Sequence, residues 1–117
     1  MEWVVKFYRL PNGRAPVEEF LRELPAKPRE KVVQWIEFLE EFGPEWGKPH
    51  IEQLAPKIRQ LRVKHGSNIY RIPFFTASGQ VLVLTHGFVK KDNKTPQREI
   101  ERAKRYREDY FNRYEEK

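Results

Sequence analysis

The run "IRQLRVKHGSNIYRIPFFTASGQVLVLTHGF", residues 58–88, divides into three apolar segments separated by two short polar connectors. "IRQLRV" at 58–63, "IYRIPFF" at 69–75 and "VLVLTHGF" at 81–88 are rich in β-branched and aromatic residues, as strands are. "KHGSN" and "TASGQ" carry Gly and have hairpin length, so the three segments predict an antiparallel meander. Pro73 falls inside the middle segment. A proline donates nothing to a ladder, so a bulge or interrupted pairing is expected there.

Outward from the meander, "WVVKFY" at 3–8 reads as a first strand closed by the turn "PNG" at 11–13. Pro16 then opens a short helix, with Glu18 and Glu19 in its first turn and Val17, Phe20, Leu21 and Leu24 on one face. After "PAKP" the spacing of Val32, Trp35, Ile36 and Leu39 predicts a longer helix, stopped by Gly43-Pro44. Residues 43–57 hold three Pro and two Gly and read as a loop crossing the domain. Thr95 is placed to cap a last helix with Pro96 at its first position, and Ile100, Ala103, Tyr106, Tyr110 and Tyr114 run down one side. The expected order is β-α-α-β-β-β-α. This is an α+β fold, a small antiparallel or mixed sheet with helices packed on one face, in a single domain over residues 1–117.

Charge is divided along the chain. Residues 1–56 carry 8 Lys and Arg against 10 Asp and Glu, and residues 57–107 carry 13 against 3. That asymmetry points to a polyanionic partner, nucleic acid above all. The chain has no Cys, which excludes disulfides, thiolate nucleophiles and Cys-based zinc sites. With no signal-like N-terminus and no apolar run long enough to span a bilayer, a soluble cytoplasmic protein is expected.

Elimination narrows the chemistry. Two Asp in the whole chain, and no acidic residue over 57–91, argue against a two-metal nuclease. His50, His65 and His86 show no ligand spacing, and no phosphate loop or nucleophile elbow is present, so no metal or cofactor is expected. What remains is cationic. Arg62 and Arg71 lie on strands joined by a tight hairpin, and His86, Lys90 and Lys91 lie at the end of the next, so these five can converge. RNA carries its own nucleophile, the 2′-hydroxyl; its cleavage needs a base, an acid and cations at phosphorus rather than a metal-activated water. Arg offers a fixed fork to phosphate, and Tyr70 and Phe88 are candidate platforms for a splayed base. Plainer roles fit the same residues: His86 as a packed histidine, Arg59, Arg62 and Lys64 as solvent-facing strand residues, Lys90, Lys91 and Lys94 as a solvated loop, and the C-terminal tyrosines as a core stripe.

"QLRV" at 60–63, "YRIPFF" at 70–75, "LTHGFVKKDNKTP" at 84–96 and "EIERAKR" at 99–105 together resemble the RelE/HigB superfamily of toxins from type II toxin–antitoxin pairs, in its phage-derived HigB-like branch. The resemblance implies a compact ribonuclease that cuts mRNA in the ribosomal A site without metal, and a cognate antitoxin, commonly a small helix-turn-helix protein. It further implies that Arg62 and Arg71 hold the scissile phosphate, that Lys90 and Lys91 bind phosphate or transfer protons with His86 as an acid/base candidate, and that Lys94 and Arg98 follow the RNA backbone; Arg59 and Lys64 are further RNA-binding candidates. Some relatives use a C-terminal tyrosine or histidine in catalysis; here the chain continues into a long helix instead. The alternative is a non-catalytic RNA- or DNA-binding domain using the same basic sheet, and a third reading is an interaction domain for an acidic protein.

Overall fold

The computed structural model describes residues 3–114. Strand β1, Val4–Phe7, is followed by helices α1, Pro16–Glu23, and α2, Ala26–Phe42, and by one 3-10 turn, Pro44–Trp46. Five strands come next: β2, Ile51–Ala55, β3, Ile58–His65, β4, Asn68–Ala77, β5, Val81–Leu84, and β6, Phe88–Lys90. Helix α3, Gln97–Tyr114, closes the chain. The sheet order is β1-β5-β4-β3-β2, with β6 also on β4. β1 runs parallel to β5 and the other pairs are antiparallel, so the sheet is mixed.

The expected meander is β3, β4 and β5, but the third segment, read as one strand over 81–88, stops at Leu84 and resumes as β6 only at Phe88. The Pro73 irregularity lies where the pairing predicts: β4 pairs β5 over Phe74–Ala77 and β6 over Ile69–Arg71, and the ladder breaks between them. Pro73 carbonyl oxygen faces that break and accepts the backbone N–H of Thr85, at 2.9 Å, with the Thr85 hydroxyl oxygen 3.0 Å away. A strand residue's N and O point the same way, so the missing N–H of Pro73 also faces the break and no ladder bond is lost. Strand β2, in contrast, lies inside the segment read as a loop. Its alternation is weak and its turn into β3 places Lys57 at φ 68°, so the pairing with β3 rather than local pattern creates it.

The α+β class stands, but the helices divide between two faces. Leu61, Val63, Tyr70, Ile72, Phe74, Leu82 and Leu84 pack with Val17, Val32, Ile36 and Leu39 of α1 and α2. Ile58, Phe75, Ala77 and Val83, of opposite strand parity, pack with Ala103, Tyr106, Tyr110 and Phe111 of α3. α2 ends at Gly43, φ 77°, where a Cβ would come within 2.3 Å of the Trp3 indole; a glycine is required there by both backbone and space. Tyr106 and Tyr110 are core stripe, stacked on Tyr8 and edge-on to Phe75, while Tyr114 is exposed.

Candidate RNA-binding and cleavage site

α3 covers only part of its face of the sheet. Beyond its N-terminus, the same strand parity brings Arg62 of β3 directly opposite Arg71 of β4, and Arg71 opposite Phe88 of β6. The next row is Lys64, Ile69 and Lys90. The hairpin and the β6 pairing thus assemble in two adjacent rows Arg62, Arg71, Lys64, Lys90 and Phe88.

Arg71 is fully buried. Its Nη1 donates to Thr95 Oγ1 at 3.2 Å, its Nη2 donates to the carbonyl of Asp92, and among the described residues its Nε has no partner. Among the described residues no carboxylate is within ion-pair distance of it. Burial, and then the facing Arg62, hold the guanidinium below its ordinary pKa. Arg62 has a carboxylate nearby, Glu52 Oε1 at 3.5 Å from Nε, and its amino groups donate at 3.4 Å to Pro49 carbonyl and 3.3 Å to Asn93 Oδ1. Thr95 hydroxyl donates to Gln60 Oε1 at 3.3 Å, and Gln60 Nε2 donates to Glu52 Oε1 at 3.1 Å, so a polar chain links the two arginines beneath the surface. Thr95, expected as a helix cap, is instead spent on this chain. Asp92, Asn93 and Thr95 together form a strap over both guanidinium groups.

Lys90 is half-buried at the end of β6, Lys91 and Lys94 are exposed on the strap, and Arg98 is exposed in the first turn of α3. Three expected site residues lie elsewhere or point away. Tyr70 is buried in the α1/α2 core, 4% exposed, because it has the opposite strand parity to Arg71. Arg59 has the opposite parity to Arg62, near the far end of β3, with its Nε donating to Gln53 Oε1 at 3.3 Å. His86 is 1% exposed, its Nδ1 3.0 Å from Thr85 Oγ1 and its Nε2 3.0 Å from Glu99 Oε1. Burial foremost, with Arg102 adding to it and Glu99 opposing, pushes its pKa down to about 4. The imidazole closes the β5–β6 break against the first turn of α3, out of reach of a substrate, and Phe88 stacks on it at 5.7 Å.

The sequence reading missed Glu52, Gln60, Asn93 and a cleft of about 330 Å³ beside Arg62, lined by Lys31, Trp35, Pro49, His50, Lys64, Ile69 and Asn93. Gln60 was legible, sharing parity with Arg62; the others are brought in by tertiary contacts. A larger groove, about 650 Å³, lies between β1 and the end of α3 and is lined by none of these residues. Among the described residues no cluster of His, Asp or Glu suits a metal ion, and no helix is long and apolar enough to cross a membrane.

The family model of the phage-derived Gp49-like proteins matches residues 19–108, which take in the second half of α1, all of α2, the whole meander and most of α3. The chain belongs to the Gp49-like family. This places it in the RelE/HigB-like group of toxins of toxin–antitoxin systems, in the branch that its "HGFVKK" and "KTP" segments resemble. The fold agrees. A crystal structure of an archaeal RelE-RelB complex from Pyrococcus horikoshii OT3 contains a chain that superposes with a TM-score of 0.51 at 16% identity, covering 81% of the Gp49-like chain and 100% of the archaeal one. At that identity the likeness is one of fold. Among curated proteins none matches.

Proposed function

We propose that this Gp49-like toxin is a ribosome-dependent, metal-independent mRNA endoribonuclease that inhibits translation. The observation that carries the reading is the Arg62–Arg71 pair. Two guanidinium groups face each other across one ladder, and among the described residues the buried one has neither a carboxylate nor a partner for its Nε. An uncompensated buried cation costs several kcal/mol, on the order of 3–5 when a pair is broken, so such an arrangement fits a site completed by an anion.

In the proposed reaction the 2′-oxygen of one nucleotide bonds to the adjacent phosphorus and the P–O5′ bond breaks. A proton leaves the 2′-hydroxyl and another is delivered to the departing 5′-oxygen, giving a 2′,3′-cyclic phosphate and a 5′-hydroxyl. Arg71 and Arg62 hold the non-bridging oxygens and stabilise the charge that builds on them. Lys90 and Lys91 are the candidates for proton transfer, Phe88 offers a ring beside the arginines, and Lys64, Lys94 and Arg98 track the backbone. The substrate's phosphate takes the place of the strap's oxygens on the guanidinium groups. The partner proposed for the free toxin is a cognate antitoxin, a small helix-turn-helix protein, and a ribosomal substrate places the toxin in the cytoplasm.

A second reading, a basic RNA-binding module without cleavage, is favoured by one observation: the amino groups of Arg71 are already engaged by Asp92 and Thr95. The test is mRNA cleavage in a translating extract, mapped by primer extension, with ribosome-free RNA in parallel and Arg71→Ala as control. Cuts that require ribosomes and vanish in the variant support the enzyme. Intact mRNA with folded wild-type protein favours the binding module.

A further inference from the structure

The cleft beside Arg62 holds an imidazole whose orientation is fixed from several sides. Trp46 stacks on the His50 ring at 4.2 Å between centroids with 19° between planes. The Trp35 Nε1–H donates to His50 Nδ1 at 3.3 Å. The backbone N–H of Arg62 donates to His50 carbonyl at 2.8 Å, so the residue is tied to the strand that carries the site. An indole N–H is a donor only, so Nδ1 presents its lone pair and the neutral ring carries its proton on Nε2. Among the described residues Nε2 has no hydrogen-bond partner.

We propose that His50 is a substrate-anchoring residue, held by Trp35 as the Nε2–H tautomer and donating that hydrogen to a phosphate oxygen of the RNA beside Arg62. The nature of the substrate rests on the ribonuclease reading above. Among the described residues the charged groups lining the cleft with His50 are Lys31 from α2 and Arg62 and Lys64 from β3, and no carboxylate lines it. An Nε2–H directed into that cleft adds a hydrogen bond to an anion held there by those cations. The same geometry separates His50 from proton transfer: its unpartnered nitrogen already carries hydrogen, and a proton on Nδ1 would break the bond from Trp35. Sequence spacing gave no hint of this residue, since Trp35, Trp46 and His50 come together only when α2 and the approach to β2 pack side by side.

The experiment combines cleavage assays with ring-nitrogen NMR on the full chain. His50→Ala should lose roughly ten- to a hundredfold of cleavage, the scale of a hydrogen bond to a charged group. His50→Gln, which keeps an N–H donor, should recover to within a few-fold of wild type with the same pH profile. Two-bond proton–nitrogen spectra should show the Nε2–H tautomer in the wild type and a tautomer mixture in Trp35→Phe. Titration with a 2′-O-methyl RNA oligonucleotide, which cannot be cleaved, should move the His50 Nε2 signal even if the Ala variant fails to fold. A Gln variant as impaired as Ala and missing one limb of its pH profile would overturn the proposal in favour of acid/base catalysis, and an Nδ1–H tautomer would overturn it outright. If the wild type cleaves but Nε2 ignores the oligonucleotide and the Ala variant stays active, the anchoring role fails while the ribonuclease reading stands. If the wild type cleaves nothing and Nε2 still moves, the ribonuclease reading fails and the anchoring site stands.

Discussion

Arg71 lies directly across the β3–β4 ladder from Arg62, and the two like charges share one enclosed corner of the sheet. A protein selected for stability alone gains nothing from that pairing. Arg71→Met, which keeps the stem and removes the charge, should leave the melting temperature unchanged or raise it, while abolishing cleavage. Arg71→Lys keeps the charge but loses the fork, and its cleavage should fall by about 10²–10³, the scale for losing one preorganised donor. Thermal unfolding and translating-extract cleavage of the same two preparations provide the check; a strongly destabilised Met variant would mean that the arginine is structural.

His86 gives a pH signature to stability. Its folded pKa lies at about 4 against the ordinary 6.5 of the unfolded chain, so below pH 6.5 the unfolded chain binds the extra proton. The contribution is therefore complete above that value and is lost as the pH falls towards 4. Urea unfolding at several pH values should show a decline over this interval that is shallower in His86→Asn. Parallel curves for the two proteins would contradict the assignment of a neutral, buried imidazole.

Gly87 gives the β5–β6 break its room. A Cβ at that position would meet the Phe20 ring at 2.2 Å, so α1 packs on the backbone itself. Gly87→Ala should cost about 1–3 kcal/mol by overpacking. Combined with Phe20→Ala, which removes the obstacle, the loss should be smaller than the sum of the two single changes. Strict additivity in urea denaturation would show that the two residues do not compete for the same space.

The exposed cations of the strap and of α3 should act differently from the arginines. Lys94→Ala and Arg98→Ala are expected to weaken RNA binding evenly across sequences, and each should reduce the salt slope by about 0.7, the value per phosphate contact for a single strand. Cleavage at saturating substrate should change little. A drop in maximal rate comparable to that of Arg71→Ala would move either residue into the reaction centre.

Much of this was legible one residue at a time. Alternation and Gly-bearing connectors define β3, β4 and β5, helical spacing defines α1 and α2, and the charge count picks out the half of the chain that carries the site. Parity within β3 already set Arg62 with Lys64 and apart from Arg59. The same rule, applied to β4, sets Tyr70 on the face opposite Arg71, which is the face that packs on α1 and α2. His86 follows an apolar run and reads equally as catalyst or packed histidine; the packing of α3, which brings Glu99 to its Nε2 and buries the ring, is a tertiary contact that the run does not contain.

What the amino-acid sequence determined by itself was therefore local and periodic: strand, helix, turn, and which side chains share a face. Which of those faces meet follows from packing alone. Backbone periodicity orders side chains within one element, whereas Glu52 beside Arg62, the strap over Arg71 and Trp35 on His50 join residues distant along the chain. Their proximity is fixed by how helices and strands bury apolar area together, a property of the whole packed core that no single segment contains.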